Sequence, residues 1–338
     1  MAQTDRTMRA IQLDEWGPPT NKQLRQVPVP EPSPDQLRIR VHTAGIIFAD
    51  IMLREQRYVL NVPLPHCPGR EVAGVVDKVG SAVSDFEVGD RVMATMIGGA
   101  YAEYALVLPA LALPDGRRIP TTFKLPDRAS FESSLVYLTG LRTAYLACRV
   151  VHRPQPEETL LLHAASGCVG SHLVRLAKKN GNTVIALVSR DEKAPRCREL
   201  GADHVVNLSK TDYVEEVRRL TGGTGVACSF NSVGGPTLKT DPHAIATFGT
   251  LILFGSAGGK GLIDPYEPIE KKAQTIKTFA TYPFVDTPAY QEATDFVTTW
   301  LENEPLESPP HVFPLEAACE AHQLIESRAS NGKVVLDC

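Results

Sequence analysis

Apolar strands and helices alternate through the second half of this chain, and this alternation limits its possible folds. Between residues 159 and 256 the pattern predicts strands at TLLLHA, TVIALVS, HVVNL, VACSFNSV and TLILFGS. It predicts intervening helices at GSHLVRLAKKNG, KAPRCRELG and YVEEVRRLTGG. Repeated strand–helix units of this kind build a doubly wound, parallel α/β sheet. We predict such a domain at residues 129–270.

The segment from Met8 to about Leu108 has a different pattern, in which short strands are separated by glycine and proline. The predicted strands are QLRIRVHTAG, EVAGVVDKVG, FEVGDRV and AEYALV. Closely spaced strands of this type favour a compact, barrel-like β domain. The prolines of VPVPEPSP (27–34) predict a stiff connector. Near the end of the chain, GKVVLDC predicts a strand that could return to this domain, which would then comprise residues 1–128 and 271–338.

Composition limits the classes of partner. The chain has 43% hydrophobic residues, 22% charged residues and a net charge of −4, so electrostatics gives no reason to expect nucleic acid or an acidic membrane surface. No apolar run reaches the roughly 18 residues that span a bilayer. The opening MAQTDRTMRA lacks the apolar core of a signal peptide. Seven cysteines without a CxxC pair predict reduced thiols and a cytoplasmic location.

The turn after TLLLHA predicts a phosphate site. ASGCVG (165–170) leads from this strand into a helix that should run to about Lys179. Gly167 would let the backbone approach a pyrophosphate, and Gly170 would let the helix pack on the strand. The helix start would add N–H groups and a partial positive charge. We therefore predict a dinucleotide site formed by Ser166, Gly167, Cys168, Val169 and Gly170. A tight turn without a ligand is the alternative, and the Cys168 thiol could be reactive or simply packed.

The residues after the second strand suit one dinucleotide better than the other. An NAD-binding chain has an acidic residue about 20 positions beyond the glycines, for the ribose 2′-hydroxyl. This chain has Ser189 and Arg190 there, with Lys193 one turn on. A hydroxyl and cations suit the 2′-phosphate of NADPH, which a carboxylate would repel. We predict that these three residues bind NADPH. The preference weakens if Asp191 faces the ribose, and both cations could instead be solvated charges at a helix start.

The ends of the fourth and fifth strands predict the nicotinamide side of the site. FNSVGG (230–235) and LILFGSAGG (251–259) end these strands, and ligands of parallel sheets lie at their carboxyl ends. We predict that Val233, Phe254 and Ser256 line this end. Packing within buried turns would give the same pattern.

Segments spread over nearly the whole chain carry a family pattern. They are AGIIFADIMLREQRY (44–58), PGREVAGVVDKVGSAVSDFEVGDRV (68–92), AYAEYALV (100–107), LTGLRTAYLA (138–147), HAASGCVGSHLVRLAKKNG (163–181), RELGADHVVN (198–207) and NGKVVL (331–336). They resemble the medium-chain dehydrogenase/reductase superfamily, in its zinc-free quinone oxidoreductase and enoyl reductase branch. The resemblance implies a GroES-like catalytic domain, a Rossmann domain and an active site in the cleft between them. It also implies homodimers or homotetramers joined near GTLILFGSAG.

Two positions depart from the zinc-dependent members of this superfamily. Zinc alcohol dehydrogenases have a cysteine where Ile47 stands and a histidine where Arg70 stands. Catalytic zinc needs three protein ligands, so the resemblance implies a site without metal. His66, Cys67 and Glu71 could be imagined as another metal cluster, but their spacing favours packing at a strand edge.

The resemblance implies that hydride passes from NADPH to a quinone, or to an enone, enal or enoyl thioester. Tyr58 matches the family tyrosine near the nicotinamide. It could hydrogen-bond the substrate carbonyl or relay a proton, or its ring could simply be packed. Asn331 and Lys333 match a segment whose lysine reaches the cofactor phosphates. Ile47 replaces the asparagine usual in quinone oxidoreductases, which favours a hydrophobic enoyl substrate.

Two other functions stay open. One is a pathway-specific enoyl reductase or tailoring enzyme of secondary metabolism, which Ile47 would suit. The other is an NADPH-binding protein that no longer catalyses a reaction. No basic or aromatic-rich segment supports binding of nucleic acid.

Overall fold

The computed structural model describes residues 6–113 and 115–338. The chain forms two compact units, one up to Thr139 together with Asp295–Cys338, and one over Gly140–Thr294. It passes between them within helices α2 (Phe131–Tyr145) and α7 (Pro288–Asn303). Both passages lie later than the boundaries predicted after residues 128 and 270. The later one follows because residues 275–278 form a further strand in the sheet of the second unit.

The first unit is built around a seven-stranded sheet. The strands of this unit, including those of two separate hairpins, are β1 (Thr7–Leu13), β2 (Lys22–Pro28), β3 (Leu37–Ile46), β4 (Glu71–Val79), β5 (Arg91–Thr95), β6 (Tyr104–Val107), β7 (Ala110–Ala112), β8 (Arg118–Pro120), β9 (Thr122–Lys124), β16 (His311–Pro314) and β17 (Val334–Asp337). Its short helices are α1 (Phe48–Arg54) and α8 (Ala318–Glu326). The sheet has the order β16-β17-β3-β4-β5-β9, with β6 also on β3, while β1–β2 and β7–β8 form separate hairpins.

Alternating side chains of β3 and β4 supply the core of this unit. Leu37, Ile39 and Val41 of β3 and Val72 and Val76 of β4 belong to one buried cluster, on which α8 packs its alanines. Burying each such aliphatic side chain stabilises the fold by about 1.5–3 kcal/mol. The last strand, β17, pairs antiparallel with β3. The predicted return of the chain's final strand to the first domain is therefore confirmed.

The second unit is a six-stranded parallel sheet with helices. Its strands are β10 (Thr159–Leu162), β11 (Thr183–Val188), β12 (His204–Asn207), β13 (Val226–Asn231), β14 (Ile245–Leu253) and β15 (Thr275–Thr278). Its helices are α3 (Cys168–Lys179), α4 (Ala194–Glu199), α5 (Tyr213–Leu220) and α6 (Thr237–Ala244), with part of α2 and α7. The strand order is β12-β11-β10-β13-β14-β15. This is the order of a Rossmann-type doubly wound sheet, so the predicted fold class is confirmed.

Burial differs sharply between the inner strands and the edge of this sheet. All residues from Val184 to Val188 of β11 are at most 1% exposed, as expected for a strand covered on both faces. The edge strand β15 is instead exposed at each of its four residues. The segment GTLILFGSAG contributes β14, which lies beside this edge. In the described part of the chain, no helix is long and apolar enough to cross a membrane.

Two details of the first domain differ from the prediction. FEVGDRV was predicted as a strand, but β5 begins only at Arg91, because the preceding residues form a turn in which the Asp90 carboxylate accepts the Glu87 N–H at 2.9 Å. The predicted connector 27–34 contributes its first two residues to β2. That strand pairs only with β1, and an edge position tolerates the missing N–H of Pro28.

Candidate active site

The order in which the strands follow one another in the sheet of the second unit reverses between β10 and β13. From β10 the order runs to β11 and β12 on one side, and from β13 to β14 and β15 on the other. Open α/β sheets bind ligands outside the carboxyl ends of the strands at such a switch point. The turns that follow β10 and β13 lie there. Together with the first residues of α3, they contain six of the predicted site residues, Ser166, Gly167, Cys168, Val169, Gly170 and Val233.

The turn after β10 packs tightly against α3. The Ala165 N–H donates to the Leu187 carbonyl at 3.1 Å, and the Gly167 N–H donates to the Ala164 carbonyl at 2.9 Å. A Cβ atom on Gly170 would lie only 2.2 Å from the Ala164 carbonyl oxygen. Only glycine therefore allows the helix to approach the turn this closely. The packing predicted for Gly170 is confirmed, while binding of a pyrophosphate stays a prediction.

The start of α3 has the chemistry of an anion site. Gly167 caps the helix, and the first hydrogen bond of the helix joins the Ser171 N–H to the Gly167 carbonyl at 2.9 Å. Amides before Ser171 have no acceptor within the helix, and the helix dipole adds a partial positive charge. Ser166 is buried, and Sγ of Cys168 lies 2.6 Å from where a Cβ on Gly140 would stand. This turn therefore fits the phosphates of a dinucleotide.

The predicted 2′-phosphate residues follow β11 at the same edge of the sheet. Ser189 is the first residue beyond the strand, Arg190 is the next, and Lys193 ends a short helical turn. Arg190 is exposed, whereas Ser189 and Lys193 are half-buried. The structure thus brings a hydroxyl and two cations to one end of the second strand. Their contact with a phosphate stays a prediction.

Asp191, the residue that could have weakened the NADPH preference, is engaged elsewhere. Its carboxylate pairs with the Lys210 ammonium and accepts a hydrogen bond from Nδ2 of Asn207 at 2.6 Å. Lys210 first and Asn207 second lower the pKa of Asp191. Lys210 was not among the residues predicted from the sequence. Its position could have indicated the contact, because Lys210 follows β12 and neighbouring parallel strands such as β11 and β12 end at the same edge of the sheet.

A buried carboxylate joins the turn after β10, helix α5 and strand β13. Asp241 of α6 is fully buried, and its Oδ1 accepts from Nε2 of His163 and from the Tyr213 hydroxyl, both at 2.7 Å. Its Oδ2 accepts from the Ser229 hydroxyl at 2.9 Å and from Nδ2 of Asn231 at 2.7 Å. Burial alone would raise the pKa of Asp241, but His163 and the other donors outweigh burial and lower it. We call these five residues the Asp241 hub.

The Asp241 hub fixes the turn after β13 through Asn231. Oδ1 of Asn231 accepts from the Val233 N–H at 2.8 Å and from the Gly234 N–H at 2.9 Å. The Thr237 hydroxyl donates to the Gly234 carbonyl at 2.7 Å. Gly234 has φ +64°, a conformation that glycine adopts at little cost. A buried network therefore holds the turn that contains the predicted residue Val233.

The turn after β14 packs beside that turn. The Gly258 N–H donates to the Val233 carbonyl at 2.7 Å, and Ser256 is half-buried in the same segment. The ring of Phe254 stacks on Phe279, with centroids 5.6 Å apart. Phe254 thus takes part in an aromatic cluster, which is the packing role that the sequence left open. Contact of these residues with a nicotinamide stays a prediction.

The first unit presents a tyrosine, a cation and an aliphatic side chain at the positions singled out by the resemblance. Tyr58 lies half-buried in the loop after α1, and the Arg70 guanidinium carbon is 4.9 Å from the centroid of its ring. This is a cation–π contact. Ile47 caps α1, and its N–H donates to Oδ2 of Asp50 at 3.0 Å.

Lys333 has a different partner from the one expected. Its side chain is fully buried, and its ammonium pairs with the carboxylate of Glu71, which is also fully buried. The other oxygen of Glu71 accepts the Thr139 N–H at 3.0 Å. This carboxylate stabilises the ammonium enclosed within the first unit, and contact of Lys333 with the cofactor phosphates stays a prediction. The Asn331 N–H donates to Nε2 of His311 at 3.0 Å, and its cofactor contact stays a prediction.

Asp50 is another buried carboxylate, with fewer donors than Asp241. Besides the Ile47 N–H, its Oδ2 accepts from the Tyr101 hydroxyl at 3.3 Å, while no described residue pairs with Oδ1. Burial raises the pKa of Asp50 to about 6. The Tyr101 hydroxyl also lies 3.1 Å from Nε2 of His322. The interior of the first unit thus contains an acid that titrates near neutral pH.

Side chains able to bind metal do not cluster in the described ranges 6–113 and 115–338. No group of three or more His, Cys, Asp or Glu side chains there could hold a metal ion. Burial raises the pKa of Cys67 to about 12, which disfavours the thiolate that metals require. Glu71 pairs with Lys333 instead.

We expect Asp241→Asn to lower the free energy of unfolding by about 2–4 kcal/mol, because an amide group would face two hydrogen-bond donors in a buried site. The lowered pKa of Asp241 stabilises the fold above pH 3.8, and this stabilisation is lost as the pH falls below that value. Urea denaturation at pH 7 and near pH 3 should therefore show the deficit shrinking in acid. The exposed Asp85→Asn is the control, and an equal stability of both variants at pH 7 would contradict the role of the hub.

Asp50→Asn should have the opposite effect at neutral pH. An acid whose pKa rises from 3.8 to about 6 on folding contributes stability below pH 3.8 and loses it as the pH rises through 6. Asparagine keeps an acceptor oxygen and carries no buried charge. Between pH 4 and pH 8, unfolding experiments should show the variant gaining about 1–3 kcal/mol on the wild type. A difference that does not change with pH would refute this.

Comparison with known proteins agrees with the two units. A model described as an alcohol dehydrogenase GroES-like domain matches residues 33–115, and one described as a zinc-binding dehydrogenase matches residues 168–299. The chain is 32% identical to a probable quinone oxidoreductase of Schizosaccharomyces pombe, over 97% of this chain and 96% of that protein. It is also 32% identical to a 2-haloacrylate reductase of a Burkholderia species, over 97% and 98% of the two chains.

Among solved structures, the quinone oxidoreductase of Escherichia coli in complex with NADPH superposes with a TM-score of 0.88. It is 26% identical, and the match covers 98% of this chain and all of that one. Sequence and structure agree over nearly the full length of the chain. The protein therefore belongs to the medium-chain dehydrogenase/reductase family, in its quinone oxidoreductase branch.

Proposed function

We propose that this protein is an NADPH-dependent, zinc-independent oxidoreductase that reduces a quinone or an α,β-unsaturated carbonyl compound. The observation that carries the proposal is the turn before α3, where Gly170 brings the helix start against the switch point of the sheet. The quinone oxidoreductase and 2-haloacrylate reductase relatives support an oxidoreductase. The NADPH complex of the E. coli relative supports the choice of cofactor.

Several groups of the second unit would hold the cofactor. The first amides of α3 would bind the pyrophosphate, as helix starts bind anions. Arg190 and Lys193, with the Ser189 hydroxyl, would bind the 2′-phosphate, because Asp191 is neutralised by Lys210. The turn held by the Asp241 hub would support the nicotinamide end through Val233. When bound, NADPH supplies the hydride.

The proposed zinc independence is supported by the side chains that stand where zinc-dependent members have ligands. An isoleucine and an arginine at positions 47 and 70 donate no lone pair to a metal. Without a Lewis acid, the acceptor must stabilise the incoming charge by itself, and conjugated carbonyls and quinones do so. Tyr58 would donate a hydrogen bond to the acceptor oxygen. A pathway-specific enoyl reductase and a protein that only binds NADPH remain the alternatives.

Pairing of two chains along β15 is the assembly that we propose. The strand has exposed residues throughout and a free sheet edge, because β14 is its only neighbour in the described sheet. An exposed edge presents unpaired N–H and C=O groups that a second copy can satisfy. The homodimer or homotetramer expected from the sequence stays a prediction.

We expect Arg190→Ala to weaken NADPH binding by about 10–100-fold, since a charge-assisted contact to a phosphate is lost. The affinity for NADH should stay unchanged, because NADH lacks the 2′-phosphate. Titration calorimetry with both cofactors measures the ratio of the two dissociation constants. The exposed Arg198 on α4 offers a matched control as Arg198→Ala. A ratio that is the same in the wild type and in Arg190→Ala would remove the assignment.

The acceptor class is tested by the loss of NADPH absorbance with 1,2-naphthoquinone, an alkenal and an enoyl thioester. Consumption with at least one of them is expected. Tyr58→Phe should lower that turnover several-fold or more without changing the NADPH dissociation constant, because only the hydroxyl is removed. Unchanged turnover would exclude the Tyr58 role. Binding of NADPH without consumption across the panel would favour the non-catalytic alternative.

A further inference from the structure

The main chain at Arg70, which carries a positively charged guanidinium, has a fixed position in the first unit. It lies directly before β4, and its carbonyl accepts the Met96 N–H at 3.0 Å. The preceding Gly69 has φ +93°, and a Cβ there would lie 2.3 Å from the Tyr101 ring. The main chain at Arg70 is therefore held from both sides, so the origin of its side chain is well defined.

Two buried carboxylates near Arg70 make their hydrogen bonds and ion pairs with other groups, although the charge of Arg70 partly offsets the effect of burial on the pKa of Asp50. Glu71 pairs with Lys333, and Asp50 accepts from the Ile47 and Tyr101 donors. Within residues 6–113 and 115–338, no carboxylate lies within ion-pair distance of the Arg70 guanidinium. Its Nε is buried and has no hydrogen-bond partner in that same part of the chain. A buried N–H of a charged group without an acceptor is unfavourable, and an oxygen from a ligand would satisfy it.

The contact that Arg70 does make is with the face of Tyr58. The guanidinium carbon is 4.9 Å from the ring centroid, and a ring face offers no oxygen to the N–H groups. The planar guanidinium matches a carboxylate with two parallel hydrogen bonds. The Tyr58 hydroxyl belongs to the same pair of side chains and can add a third donor. Together the two side chains offer the hydrogen-bond donors that a carboxylate requires.

We propose that Arg70 and Tyr58 bind the carboxylate of an α,β-unsaturated acid, so that the preferred acceptor is a conjugated carboxylate rather than an uncharged quinone. This proposal rests on the proposed function and specifies its substrate class. In the reaction, the hydride forms a C–H bond at the β-carbon while the C=C electron pair moves toward the carboxylate. A proton from water then adds at the α-carbon, giving the saturated acid and NADP⁺. Negative charge grows on the oxygens next to Arg70, which would stabilise the transition state.

The test compares 2-chloroacrylate with its methyl ester, which has the same alkene and no charge. In the wild type with NADPH, kcat/KM should be higher for the acid. Arg70→Leu should lower kcat/KM for the acid by about 100-fold, and change it for the ester by less than about 3-fold. Arg70→Lys should recover part of the loss. Arg57→Leu, which removes an exposed arginine of the same loop paired with Glu55, should leave both substrates unaffected.

Binding measurements separate this proposal from the proposed function. If neither acceptor is reduced, calorimetry with 2-chloropropionate and its methyl ester on the NADP⁺ complex still reports recognition of the acid. Loss of acid binding in Arg70→Leu, with circular dichroism equal to that of the wild type, would support Arg70 even without turnover. Equal binding of the acid to both proteins, or an equal loss for acid and ester, would overturn the proposal. If Arg70→Leu does not fold, Arg70→Gln takes its place.

Discussion

The buried carboxylate of Asp241 is the interaction on which the second unit most depends. Removing an unpaired carboxylate from water costs several kcal/mol, and this cost is offset only where donors surround both oxygens. Four donors do so here, from the residue after β10, from α5 and from β13. Because one of them is Asn231, the carboxylate that joins these elements also sets the turn after β13. Stability and the shape of the candidate cofactor site therefore have the same source.

Buried carboxylates of the first unit are stabilised in two ways, by an ion pair or by a raised pKa that favours the neutral acid. Glu71 and Lys333 neutralise each other in the interior, whereas Asp50 forms no ion pair with a described residue, and burial raises its pKa more than the charges of Arg70 and Lys333 lower it. Both are ordinary outcomes of charge in a medium of low polarity. Arg70 follows neither, since its charge meets an aromatic face and its Nε meets no acceptor in the described residues. A guanidinium without a carboxylate partner can bind an anionic ligand.

The sequence was sufficient for those features that depend on local pattern. Apolar strands between helices predicted the strands of the second sheet from β10 to β14, and Gly170 was identified because its position requires close packing. The strand β15 escaped prediction, since TIKT is exposed at the edge and has no apolar run. The ion pair of Lys333 with Glu71 was not predicted, because a sequence motif cannot tell which buried carboxylate an ammonium will meet. Glu71 lies far from it along the chain and close in space.

The Asp241 hub shows where a sequence signal was available and was not used. His163 and Asn231 stand in the apolar strand segments TLLLHA and VACSFNSV, where burial is expected on both faces. A polar side chain in such a strand must find a partner, because an unsatisfied buried group is costly. Two of them at the ends of neighbouring strands can share one polar partner from a covering helix. Asp241 supplies it beside Pro242 in α6, a helix that the sequence pattern did not predict. The sequence could thus indicate that these buried polar side chains need a partner, but only the fold identifies Asp241 as that partner.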